Sequence, residues 1–266
     1  MQLTSFGHPD TTGIPNVDYF LSSELYETAR APDHYSEKLV TLPGMGTLAW
    51  YHRPAAPVSP LSRGAIGLAD DDHLYLCPQT LFKLHPDMDR LFLGIVERDP
   101  KARIVLIEPA DRAMREQVEA RMAALSGALA DRLVFVRRLP HADYLRLIAA
   151  ADVQLDTVHF NGQNTSLEGF ALGVPIVTLP GELQRSRHTL GMYLAMGYTD
   201  LVAEDEDDYV RKAVAVACDP VLRSACSDRI RAAAPVLYEN RAFVEGCEAA
   251  FSKMIADTVR ARSESK

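Results

Sequence analysis

From His73 to Ile107 the chain reads HLYLCPQTLFKLHPDMDRLFLGIVERDPKARIVLI. Two apolar runs, HLYLC at 73–77 and RIVLI at 103–107, flank a segment at 87–98 in which Met88, Leu91, Phe92 and Ile95 recur at helical spacing. Strand, amphipathic helix and strand in that order make one βαβ unit, whose two strands run parallel. The alternation continues downstream with an alanine-rich helix at 110–129, the strand LVFV at 133–136 and a helix at 142–150. The strand VQLD at 153–156, a helix near 166–172, the strand IVTL at 176–179, a helix at 184–196 and a short strand at 201–203 come next. From 206 onward the pattern is helical. This spacing predicts an α/β fold, a parallel twisted sheet with helices on both faces, followed by C-terminal helices.

The region upstream differs in kind. It carries turn chemistry at His8-Pro9-Asp10, Thr12-Gly13 and Leu42-Pro43-Gly44, and one strand candidate at 38–42. So little periodic apolar sequence does not make an independent core. Residues 1–53 therefore read as a segment tethered to the downstream domain, 54–70, with three prolines, as a linker, and 71–266 as a nucleotide-binding domain. If residues 1–50 belong against another domain, Phe6, Tyr19, Phe20 and Trp50 should present apolar surface.

Charge narrows the function. Across 266 residues, 28 Lys and Arg against 36 Asp and Glu give 28 − 36 = −8. That balance opposes a nucleic-acid grip or an anionic membrane surface, both of which need excess positive charge. An apolar fraction of 47% with 24% charged residues is ordinary for a folded soluble chain. No apolar run approaches the ~20 residues of a membrane span, and no basic start followed by an apolar stretch marks a secretory signal. Cys77, Cys218, Cys226 and Cys247 have neither C-x-x-C spacing nor adjacent histidine pairs, so they read as thiols in a reducing, cytoplasmic setting. The histidines at 34, 73, 85, 159 and 188 show no metal-ligand spacing either. G-x-G-x-x-G, Walker and G-x-S-x-G motifs are absent.

In an open parallel sheet, ligands sit beyond the carboxyl ends of the strands, against helix N-termini. Three segments fall there. In CPQTLFK (77–83), Lys83 precedes a helix start, where a cation opposes the helix dipole. A bound phosphate would relieve that, and a solvated loop lysine is the alternative. In FNGQNTSLE (160–168), Gly162 permits close backbone approach, and small polar residues then open a helix whose free amides form an anion site. There Thr165-x-x-Glu168 is also a capping box, in which Glu168 merely closes the helix start. In RLPHADY (138–144), Tyr144 is either a stacking platform for a base or an ordinary partly buried helix tyrosine.

Together, several runs resemble the protein O-GlcNAc transferase family, in its C-terminal catalytic region. They are CPQTLFKLHPDMD (77–89), ADVQLDTVHFNGQNTSLEGFALGVPIVTLPGELQRSR (151–187), GYTDLVAEDEDDYVRKAVAVACDP (197–220) and FGHPDTTGIPNVDYFLSSELYETARAPDHYSEKLVTLPG (6–44). Bacterial and SPINDLY-like branches fit best. The resemblance implies a GT-B fold, two Rossmann-like domains facing a cleft, of which 71–266 is the donor-binding half and 1–53 a remnant of the other. It implies that Lys83 neutralises the donor diphosphate, that Thr80 contacts the nucleotide, and that Gln163, Asn164 and Thr165 hold phosphates through helix-start amides. Glu168 then binds ribose hydroxyls, Leu139 meets the uracil through its backbone, Tyr144 stacks on the base, and Gly7, His8 and Pro9 line the sugar pocket. Animal enzymes carry histidine at the positions of Gln163 and Tyr144, and SPINDLY-like relatives use GDP-fucose. Both departures bear on which base and sugar are taken.

The implied reaction is inverting transfer of a sugar, GlcNAc from UDP-GlcNAc, to protein serine or threonine, with no metal or other cofactor. The partners are a nucleotide-sugar donor (UDP- or GDP-linked) and a protein acceptor or a partner acceptor domain. A complete two-domain enzyme needs roughly 350–450 residues, so an acceptor half is expected elsewhere. Two alternatives stand: a stand-alone nucleotide-sugar-binding module without turnover, and another GT-B enzyme such as a nucleotide-sugar epimerase. The FGHPDTTG and PQTLFK runs speak against the epimerase.

Overall fold

The computed structural model describes residues 1–264. At the N-terminus, β1 (Leu3–Ser5), β2 (Tyr19–Ser23) and β3 (Lys38–Leu42) pair in parallel in the order β1-β2-β3. Only β3 was expected. All five residues of β2 are buried, but its sequence, YFLSS, does not read as an apolar run because two are serines. Their hydroxyls are satisfied internally, Ser22 donating to Glu27 and Ser23 to the carbonyl of Met45, which removes the cost of burying them. Tyr19 and Phe20 are therefore buried rather than exposed, Phe6 is half-buried, and Trp50 alone of the four is exposed, at 46%.

The larger sheet comes after: β4 (His73–Cys77), α1 (Pro86–Arg98), β5 (Ala102–Ile107), α2 (Arg112–Leu125), α3 (Gly127–Ala130), β6 (Leu133–Val136), α4 (His141–Ala150), β7 (Val153–Leu155), α5 (Asn164–Leu172) and β8 (Ile176–Val177). Its order is β6-β5-β4-β7-β8, parallel throughout. The expected last strand at 201–203 shrinks to one bridge, Thr178 to Val202. The chain ends in α6 (His188–Met196), α7 (Glu206–Cys218), α8 (Pro220–Ala233) and α9 (Arg241–Glu264).

Local chemistry sets these boundaries. The His85 side chain accepts the Asp87 N–H and Pro86 opens α1, while Asp111, Asp205 and Asp219 cap α2, α7 and α8. Helices α5 and α6 stop at Gly173 (φ 74°) and Gly197 (φ 63°), a backbone region glycine enters without strain. The single helix expected at 110–129 breaks where Ser126 turns extended (φ −162°) ahead of Gly127. The one expected at 184–196 breaks at Arg187, whose guanidinium is drawn to the carbonyls of Tyr26 and Gly181.

Alternate strand residues bury opposite faces. Leu74, Leu76 and Val105 pack on one side of the larger sheet, and Tyr75, Cys77, Ile104 and Leu106 on the other. The small sheet buries Leu21, Tyr26, Leu42 and Leu48, and is completed by Phe243, Cys247 and Ala250 of α9. Residues 1–53 lack a core of their own because part of it arrives two hundred residues later. The chain passes from small unit to large near Tyr51 and returns near Glu239, and the two passages are bonded. The Glu239 N–H donates to the Tyr51 carbonyl at 3.0 Å, and the Glu239 carboxylate meets His52 Nδ1 at 2.8 Å. Glu239 takes a left-handed backbone (φ 49°) to make that return.

Candidate functional site

The strand order makes β4 and β7 neighbours while their successors β5 and β8 lie on opposite sides. The crevice beyond their carboxyl ends is the topological switch point, where open α/β sheets bind ligands. Lys83 and the loop ahead of α5 both open there. Lys83 closes a 3-10 turn, Leu81–Lys83, and its Nζ reaches the Asn161 carbonyl at 2.8 Å and Gln79 Oε1 at 3.3 Å. The same nitrogen lies 4.2 Å from the centre of the Phe160 ring. Burial lowers the lysine's ionisation below its ordinary value, opposed by the charge of Asp156.

The loop facing Lys83 is knit from within. Asp156, fully buried at the end of β7, accepts the Gly162 N–H at 2.7 Å and the Thr178 hydroxyl at 2.8 Å. Asn161 Nδ2 donates to the Thr157 carbonyl at 2.7 Å, leaving Asn161 Oδ1 buried without a partner. Gly162 is required by space: a Cβ there would lie 2.3 Å from both Gln79 Nε2 and Thr165 Oγ1, which are themselves bonded at 2.6 Å. Gln163 precedes α5 without a side-chain cap, so the first-turn amides of Asn164 and Thr165 have no side chain closing them. Free amides at a helix start are groups that bind anions.

The capping box does not form. Thr165 is engaged by Gln79, and Glu168, 7% exposed, points its Oε1 at His141 Nε2, 2.8 Å away. Burial raises the ionisation of Glu168 above the ordinary carboxylate value, and His141 pulls it partly back. The His141 ring lies nearly parallel to that of Tyr144, with centres 6.4 Å apart and planes at 28°. Tyr144 is half-buried, packed with Leu139 on the second face of the sheet, and burial pushes its hydroxyl far above its usual ionisation. Thr80 is exposed at the head of the Lys83 turn, whose Lys83 N–H donates to the Thr80 carbonyl.

Gly7 and His8 are exposed and Pro9 buried, on the loop leaving β1. Arg185 draws that loop to the crevice: its guanidinium pairs with Asp10 while its carbonyl accepts the Asn161 N–H at 2.7 Å. Glu37 pins the next turn. Burial acts to raise its carboxyl, but hydrogen bonds from Thr12 and Thr11 outweigh it and hold the group at about 2. His188, buried at the start of α6, is lowered to about 3 by burial and by Lys83, and so is a neutral imidazole.

Sequence reading named Lys83, Gly162, Thr165 and Glu168, and the structure sets Lys83, Gly162 and Thr165 around Gln79 at the mouth of one crevice. It missed Gln79, Asp156, His141 and Arg185. Of these His141 was the most accessible, lying in the helix-start segment that holds Tyr144.

Two parallel sheets joined in one chain, with Lys83 and the uncapped start of α5 at the switch point of the larger, make up a GT-B architecture. Solved structures share that fold. An O-GlcNAc transferase variant of Thermobaculum terrenum superposes with a TM-score of 0.80 at 24% identity, covering 98% of this chain and 49% of that one. Sucrose-phosphate synthase of Thermosynechococcus elongatus gives 0.62 at 16% identity over 91% of this chain and 59% of that one. Residues 54–245 match Glycosyl transferase family 41, and the chain belongs to that family. It is 29% identical over 262 residues to the probable UDP-N-acetylglucosamine–peptide N-acetylglucosaminyltransferase SEC of Arabidopsis thaliana, covering 96% of this chain and 26% of that protein. It is 26% identical over 226 residues to the SPINDLY counterpart of Solanum lycopersicum, covering 82% and 23%. The chain thus spans about a quarter of the length of these curated relatives.

Proposed function

We propose that this chain binds UDP-GlcNAc and forms the donor side of a cytoplasmic protein O-GlcNAc transferase, without a metal. The observation that carries the reading is the convergence of Lys83 Nζ and the uncapped start of α5 on the Asn161–Gly162 turn. An acceptor hydroxyl attacks the anomeric carbon from the face opposite the diphosphate as the bond to the diphosphate oxygen breaks, which inverts the centre, and the hydroxyl proton leaves to solvent. Lys83 and the amides of Asn164 and Thr165 take up the charge growing on the leaving diphosphate. Glu168, held by His141, accepts hydrogen bonds from the ribose, and Tyr144 supplies a ring for the base with the Leu139 backbone beside it. Gly7, His8 and Pro9 close over the sugar.

The names of the curated relatives support UDP-GlcNAc and a peptide acceptor. Tyr144 and Gln163, where animal enzymes carry histidine, favour a second reading, a GDP-linked sugar. Calorimetric titration with UDP and GDP in metal-free buffer, repeated on Lys83→Ala, tests both. Micromolar binding of one nucleotide, lost in the variant, supports the donor site and names the base, whereas absence of binding by either overturns it. Turnover only upon adding an acceptor domain separates a transferase half from a binding module.

A further inference from the structure

At the other end of the larger sheet, away from the crevice, three elements finish side by side. There β4 begins with His73, Asp99 caps the C-terminus of α1, and α7 ends at Cys218. Their donor atoms converge. His73 Nδ1 lies 2.7 Å from Asp99 Oδ2 and 3.6 Å from Cys218 Sγ. We propose that His73, Asp99 and Cys218 form a site for a borderline divalent transition-metal ion, Zn2+, with one tetrahedral position left to water.

The donor set is an imidazole, a carboxylate and a thiolate, a combination that suits zinc. Its spacing fits too. Zinc–nitrogen and zinc–sulfur bonds of about 2.0–2.1 and about 2.3 Å at the tetrahedral angle put nitrogen and sulfur about 3.6 Å apart, the separation present here. The Nδ1 to Oδ2 gap must widen to about 3.3 Å on the same geometry, and His73, the more exposed of that pair, is free to turn. Asp99, 2% exposed, is held for the role: the Tyr75 hydroxyl donates to Oδ2 at 2.8 Å and the Lys101 N–H to Oδ1 at 2.9 Å. Such outer partners orient metal-binding carboxylates.

A nucleophilic Cys–His–Asp triad does not fit. That chemistry needs the thiol on one imidazole nitrogen and the carboxylate on the other, whereas both face Nδ1 here. The second three-residue cluster of this kind among the described residues, His85, Asp87 and His159, has no sulfur, and His85 Nδ1 already caps α1. Binding uses the Nδ1 lone pair of His73 and the thiolate of Cys218, whose thiol proton goes to solvent. Because the thiolate is the ligand, each ion bound releases one proton and affinity rises with pH.

Cobalt substitution reads the site directly. The full chain, freed of metal by chelator, is titrated with Co2+ and then back-titrated with Zn2+. The expected result is one equivalent bound with a thiolate-to-cobalt charge-transfer band that Zn2+ abolishes. Cys218→Ser, at an exposed position, should lose the band, His73→Ala should weaken Zn2+ by more than about 100-fold, and Tyr75→Phe by about 10-fold. Circular dichroism checks that each variant is folded. His85→Ala with His159→Ala should keep the band. Absence of the band in the parent chain, or Zn2+ affinity unchanged in folded Cys218→Ser and His73→Ala, overturns the proposal.

Discussion

Lys83 Nζ lies 2.8 Å from the carbonyl oxygen of Asn161, a bond that joins the loop after β4 to the loop after β7 across the switch point. The lysine is thereby aimed before any ligand arrives, so no ordering of a flexible side chain is charged against binding. Replacing it with alanine should weaken nucleoside diphosphate binding by about 10–100-fold, the equivalent of a charge-assisted hydrogen bond of about 1.5–3 kcal/mol. Calorimetry in metal-free buffer measures this, and a change under threefold would assign Lys83 a merely structural part.

Gly162 has no room for a methyl group. In Gly162→Ala the new carbon meets Gln79 and Thr165 at 2.3 Å, and both must yield. Overpacking of this kind costs about 1–3 kcal/mol, visible as a lower urea midpoint with unchanged slope. Nucleotide affinity should fall as well, since the Gln79 to Thr165 bond that sets the start of α5 is displaced. Full stability with full affinity would mean the loop relaxes freely.

Glu168 trades stability for function. Its folded ionisation is raised by burial, so the folded state holds the proton more tightly than the unfolded chain does. The stability it contributes is complete below the ordinary glutamate value, about 4.3, and is lost as pH climbs through the raised one. Glu168→Gln should therefore equal or exceed the parent in melting temperature at pH 7, with the advantage vanishing toward pH 4. If Glu168 holds the ribose as proposed, nucleotide affinity should drop about 10–100-fold on losing that charged contact. A melting temperature well below the parent at pH 7 would contradict this sign.

Arg185 ties the loop after β1 to the crevice through Asp10. The pair is partly exposed, so Arg185→Ala should cost under about 1 kcal/mol of stability. Affinity for UDP alone should hardly move while affinity for the intact sugar nucleotide falls, since in the proposed arrangement Gly7, His8 and Pro9 meet the sugar. Equal losses for both ligands would place Arg185 on the phosphates instead.

Legibility tracked the range of the interactions. The βαβ pattern, and Lys83, Gly162 and Glu168 as candidates, depend on local spacing, and a single sequence displays that. β2 hid because Ser22 and Ser23 are satisfied by partners across the fold, Gln184 among them, 162 residues away. Glu168 was ambiguous for the same reason: that it does not cap α5 depends on His141, 27 residues upstream and on another helix, which holds its carboxylate. The small unit's core could not be counted from residues 1–53, since Phe243 and Cys247 complete it from the far end of the chain.

The two passages between the units are fastened where Glu239 meets Tyr51 and His52, and the seam is stitched again where Gln184 donates to Ser22 and Arg187 to the Tyr26 carbonyl. The small sheet is therefore clasped to its larger neighbour at several separate points, and the loop that carries Gly7, His8 and Pro9 is moored beside the Asn161–Gly162 turn through Arg185.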